Sequence, residues 1–132
     1  MDSPPKDDPA GPFAKAGAVV TSDLAPVIME YASPLLQQCS DFASREKAIS
    51  YAILAWNLSL EKPGQQQEER RELLALIDPS EREQIDQLFD FLLQRKQQRF
   101  ADNRFYIVDY ELNQVGSGLQ IRIDAKYRPR GK

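Results

Sequence analysis

Asp109 and the run Asp124-Ala125-Lys126 are the residues whose types and spacing could do chemistry in this chain. They stand in two segments, Phe105 to Leu112 and Leu119 to Tyr127, whose apolar and polar residues alternate with the period of two expected of β-strands. If the segments pair, both carboxylates share one face at diagonal positions about 7–8 Å apart. That is close enough to hold Mg²⁺, which takes oxygen ligands and keeps several of its waters. Lys126 would orient or polarise the attacking water. Glu81, Glu83 and Asp86 on a preceding helix are available as a further acid, with nothing in the sequence to select among them. The chain has no His and a single Cys, Cys39, so histidine triads, imidazole-ligated zinc and an internal disulfide are excluded. Cys39 has no evident base beside it and is expected to serve as a small apolar residue.

A second set of residues could bind rather than react. Charge is unevenly spread: up to Gln94 there are eight Lys and Arg against sixteen Asp and Glu, and from Arg95 onward nine against four, within a net charge of −3. Arg95, Lys96, Arg99, Arg104, Arg122, Lys126, Arg128 and Arg130 form the basic set, interleaved with Phe105, Tyr106, Tyr110 and Tyr127. Cations for phosphates and rings for stacked bases are what a nucleic-acid face needs. The same asymmetry suits a protein partner or a second protomer. A solvated tail and a basic helix end facing its own dipole account for these charges equally well.

The elements that position these residues can be read in order. Pro4, Pro5, Pro9 and Pro12 among Asp, Lys and Gly make residues 1–17 an arm that buries too little apolar surface to order itself. Asp23 caps a first helix carrying Val27, Ile28, Tyr31, Leu35 and Leu36, with Pro34 expected to kink or split it. Asp41 or Ser44 caps the helix Ser44 to Leu60, apolar around most of its circumference and therefore central, in which Asn57 is expected to satisfy a loop backbone. Lys62-Pro63-Gly64 ends it, and a short polar helix follows from Gln65. Asp78-Pro79-Ser80-Glu81 opens a long helix to about Phe100, with Ile85, Leu88, Phe89 and Leu92 on its buried face and the Lys96 and Arg99 stems beside them.

The two strands then form an antiparallel hairpin across the loop Asn113 to Gly118. Leu112 is placed opposite Leu119, so that Tyr106, Val108, Tyr110 and Leu112 face the core with Leu119, Ile121, Ile123 and Ala125. This register sets Asp109 against Arg122 and Phe105 against Lys126. A lone ribbon leaves two unpaired edges, to be covered by Ala18 to Thr21 as a third strand, by a second copy or by a partner strand.

An acid on one strand followed by acid-x-lysine on the next resembles the metal-dependent nucleases, over the hairpin alone and without a proline before Asp109. The resemblance implies Mg²⁺-dependent cleavage at Asp109, Asp124 and Lys126. The leading expectation is different: one α+β domain over residues 18–127, a bundle of four to five helices with a C-terminal antiparallel hairpin and a basic tail at 128–132. It is expected to lack a cofactor and to act without catalysis, through protein-protein interaction or self-association by the hairpin and the basic face. Nucleic-acid binding is the first alternative and the nuclease the second. No stretch has the length and apolarity of a membrane span, and the acidic, Pro-rich start does not read as a secretory signal, so a cytoplasmic protein is expected.

Overall fold

The computed structural model describes residues 24–116 and 118–128. The predicted arm, the proposed third strand at 18–21, the cap Asp23, and Arg130 with most of the basic tail lie outside that range. Four helices precede one hairpin, in the order α1 (Leu24–Leu36), α2 (Phe42–Leu58), α3 (Pro63–Ala75), α4 (Pro79–Arg99), β1 (Phe105–Val115) and β2 (Gly118–Tyr127). This is the α+β arrangement of a helical bundle and a C-terminal antiparallel ribbon. No helix among the described residues is long and apolar enough to cross a membrane.

Local chemistry explains the helix ends. Asp41 and Ser44 act together at the start of α2: the Asp41 carboxylate accepts from the Ser44 backbone N–H at 2.9 Å, while the Ser44 hydroxyl reaches back to the cap. The helix therefore begins two residues before the predicted Ser44. Its end is also early, because Pro63 serves as the first residue of α3 instead of closing α2. At α4 the Asp78 carboxylate accepts from the Ser80 N–H at 2.9 Å. The Glu81 carboxylate in the first turn faces Lys47 on α2 at 3.7 Å. The hydrogen bonds from Ser44 and Ser80 hold the Asp41 and Asp78 carboxyls below their ordinary value.

α2 is the centre of the core, with Ile49, Ala52, Ala55 and Trp56 fully buried and Ile53 and Leu58 nearly so. Its small residues let α1 and α4 approach closely. Tyr31 of α1 packs edge-on against Trp56, 5.1 Å between ring centres, and against Phe100 at 5.6 Å.

Pro34 neither kinks α1 to a stop nor splits it, since the helix continues to Leu36. Having no N–H, Pro34 leaves the carbonyl of Glu30 without its intrahelical donor. Arg95 of α4 supplies the replacement: its Nη2 donates to Glu30 O at 2.8 Å and its Nε to Tyr31 O at 2.9 Å. In return the Tyr31 hydroxyl donates to Leu92 O at 2.8 Å. α1 and α4 are thus joined by side chains bonding each other's backbone.

The hairpin departs from the predicted register. Val115 pairs with Gly118, so two residues make the turn, with Gly116 at φ 61°. A tight turn of this kind needs positive φ, which glycine adopts without strain. Leu112 therefore lies opposite Ile121, not Leu119, and Asp109 opposite Asp124, not Arg122. An extra residue at Val108 then forms a bulge, after which Ile107 pairs with Ala125 and Phe105 with Tyr127. Beyond the bulge Tyr110 and Leu112 keep the predicted core face with Leu119, Ile121, Ile123 and Ala125, all packed on the helices. Before it the phase inverts: Ile107 is buried, while Val108, predicted to face inward, is 50% exposed.

The cause lies in α2. Trp56 Nε1 donates to Phe105 O at 2.8 Å, and the Asn57 amide clasps Ile107, donating to its carbonyl and accepting from its N–H, both at 2.9 Å. These bonds occupy the outward backbone groups at the base of β1 and close that edge. Asn57 thereby fills the backbone-satisfying role expected of it. On β2, Ile123 and Ala125 have no exposed surface, while Lys126 and Tyr127 at its end are exposed.

Two outcomes test these assignments. In a double-mutant cycle, Arg95→Met should cost roughly 1.5–3 kcal/mol with Pro34 in place. In the Pro34→Ala background, where residue 34 regains its N–H, the cost should be clearly smaller; equal losses in chemical denaturation would show no coupling. Asn57→Leu should cost about 2–4 kcal/mol, because both polar groups of Ile107 lose their partners, with denaturant unfolding as the measurement.

Candidate functional site

The cations read from the sequence are distributed over several structural duties. Arg95 is used on α1, as above. Lys96 is buried at 3% exposure, its Nζ donating to Asn103 O at 2.9 Å and lying 4.7 Å from the centre of the Trp56 ring. Arg128 donates to the Glu61 carboxylate at 2.7 Å and stacks over Tyr106 at 4.1 Å. Arg104 donates from Nε to Arg128 O at 3.0 Å. Arg122 bonds both oxygens of Asp124 at 2.8 Å and reaches Glu111 at 3.3 Å. Arg99 and Lys126 are exposed. Five of the basic set, Arg95, Lys96, Arg104, Arg122 and Arg128, thus hold backbone carbonyls or carboxylates of their own chain.

The acidic pair meets more directly than predicted, Asp109 and Asp124 being register partners. Yet Asp124 is engaged by Arg122, and the Asp109 carboxylate accepts from the Tyr110 N–H at 2.9 Å. Of the helix acids, Glu81 faces Lys47 and Asp86 accepts from Arg70 at 2.8 Å. Among the described residues no three acids, His or Cys gather as metal ligands.

A different site was not read from the sequence. α1 and α4 are bonded at Tyr31, Leu92 and Arg95, and a groove of about 590 Å³ lies among the end of α1, the N-terminal half of α2 and α4. Leu35 and Pro34 form one wall, Ile85, Leu88 and Phe91 the other, and Ala48 and Tyr51 the floor. Gln38, Gln84, Gln87 and the Lys47–Glu81 pair supply a polar rim. Cys39 sits in the wall, half-buried, its thiol donating to Leu35 O at 3.3 Å. Phe91 is 46% exposed, a large apolar side chain turned away from the buried Ile85, Phe89 and Leu92 face of its own helix. That off-face phenylalanine is the one signal in the sequence that marks the groove.

Tyr31 lies outside the groove lining, fully buried in the core. Burial pushes its phenol well above the ordinary value of 10.0, with the nearby Arg95 charge opposing the shift in part. The neutral form is the one the fold holds, so its contribution to stability is complete below pH 10.0 and is lost as the pH rises toward the folded value. Wild type should therefore lose thermal stability above pH 10 more steeply than Tyr31→Phe; parallel melting curves for the two would contradict this.

Neither a protein-family model, nor a curated protein, nor a solved structure matches the chain.

Proposed function

We propose that this protein acts by binding, without catalysis, and that its partner is an amphipathic segment of another protein seated in the groove between α1 and α4. The observation that carries the reading is the groove itself: an apolar floor of helical side chains, a polar rim and a half-exposed Phe91 at the lip. Apolar grooves between helices accept the apolar stripe of an incoming helix, whose side chains at i, i+3, i+4 and i+7 replace water along the floor. A volume of about 590 Å³ suits a few such anchors.

The hairpin supports a partner less well at its base than the alternating strands suggest. β1 is gripped there by Trp56 and Asn57, and on β2 Ala125, the partner of Ile107, is buried. Its open portion is the distal half, where Val115 is 59% exposed and Leu112, Leu119 and Ile121 are only partly covered. Self-association through that half is a narrower possibility within the same binding reading. Nuclease and nucleic-acid readings draw less support, because Asp124 and most of the cations already have partners within the chain.

Full-length protein and its Phe91→Asp variant, both folded by circular dichroism, should differ in what they capture from an extract of source cells, quantified by mass spectrometry. The captured set should be depleted at least tenfold for the variant, and alkylating Cys39 in the groove wall with a bulky maleimide should have the same effect. Identical capture by all three forms would reject the groove as the binding surface. Light scattering on the same samples would identify the partner as a second copy if wild type dimerises and the variant does not.

A further inference from the structure

The two edges of the hairpin are closed to different extents. On β1, Trp56 and Asn57 bond Phe105 and Ile107, a bulge falls at Val108, and the Asp109 carboxylate accepts from the Tyr110 N–H. On β2, Ile123 has no exposed surface, while Leu119 and Ile121 are only partly covered. We propose that this open stretch of β2 pairs antiparallel with the same stretch of a second copy, Leu119 lying opposite Ile121 of that copy across a two-fold axis. The inference does not depend on the groove.

The backbone sets which residues can pair. Val115 and Gly118 flank the turn and exchange hydrogen bonds, so from Gly118 to Asp124 the even-numbered residues bond β1, while Leu119, Ile121 and Ile123 turn their N–H and C=O groups outward. Among the described residues nothing bonds the outward groups of Leu119 and Ile121. Those of Ile123 are shut off by its burial. An antiparallel two-fold pairing that uses both open residues in both copies has a single register: Leu119 meets Ile121, Ile121 meets Leu119, and Gln120 meets Gln120 on the axis. Each Leu119–Ile121 pair then exchanges both its backbone hydrogen bonds.

The side chains suit that register. Leu119 and Ile121 lie on the face packed against the helices, so the pairing joins two half-covered apolar rows, one branched aliphatic side chain opposite another. On the outer face the uncharged Gln120 meets its own copy, and Arg122 falls opposite Gly118. Arg122 is neutralised within its own chain by Glu111 and Asp124, so no like charges confront each other across the axis. The equivalent two-fold on β1 would set Leu112 against Gln114, an apolar side chain against an amide. From Gly118 to Arg122, moreover, β2 has no proline, bulge or inward-pointing charge, the devices that keep exposed edges from pairing.

Gln120→Cys in a Cys39→Ser background tests the register, because residues facing each other in a non-hydrogen-bonded antiparallel pair have Cα atoms about 4.5 Å apart, a distance a disulfide spans. Mild oxidation of the full-length variant should give a covalent dimer. Asn113→Cys in the same background, on the same outer face but on β1, should stay monomeric. Light scattering at rising concentration should show the wild-type protein approaching twice its monomer mass, reversibly on dilution. Leu119→Pro removes one outward N–H from each copy and no bond to β1; folded by circular dichroism, it should raise the dissociation constant about tenfold or more. Phe91→Asp, in the groove, should dimerise as the wild type does. A monomer at every concentration, with the thiol at position 120 remaining free, would overturn the proposal. So would equal crosslinking at positions 113 and 120, or a dimer lost in Phe91→Asp and kept in Leu119→Pro.

Discussion

Backbone groups that their own helix or strand leaves without a partner are bonded from elsewhere in this protein, and those bonds decide how the elements meet. Pro34 removes a donor from α1, and Arg95 of α4 bonds the freed carbonyl of Glu30 at the exposed side of the helix. The first residues of β1 turn carbonyl and N–H groups away from β2, and Trp56 and Asn57 of α2 take them in partly buried positions. Leaving one of these strand groups buried and unbonded costs about 1–3 kcal/mol, comparable to deleting a good part of a core side chain. Apolar packing gathers the elements; these side-chain bonds fix their relative positions.

The groove follows from the same bonds. α1 and α4 are pinned together at Tyr31, Leu92 and Arg95, while both also rest on α2. The groove lies beside that junction, where α2 presents Ala48 and Tyr51, and the small Ala48 leaves room on its floor.

The hairpin shows how side chains can override a pattern. Strict alternation from Phe105 to Leu112 would send Val108 inward and Ile107 outward. The α2 clasp instead holds Ile107 against the bundle, and the chain absorbs the mismatch as a bulge at Val108. One inserted residue moves earlier side chains to the opposite face, so that Ile107 takes the buried position while Tyr106, half-buried at the margin of the core, stacks under Arg128. The tight turn at Gly116 shifts the remaining pairs by two places and sets Asp109 opposite Asp124.

Sequence alone determined the helices, their caps and the central place of α2, because those depend on residues within a turn or two: Asp41 with Ser44, Asp78 with Pro79, and the apolar circumference from Ile49 to Trp56. It also determined that a ribbon with one apolar face closes the chain, since alternation is local. Tertiary structure decided the register, the bulge and the passage of α1 through Pro34. It likewise decided which cations were committed within the chain and where a groove would open. The bulge and the passage through Pro34 turn on hydrogen bonds between residues 49 to 65 positions apart, such as Asn57 with Ile107 or Arg95 with Glu30. A periodicity records which face of an element is buried, but not which distant side chain will bond its backbone.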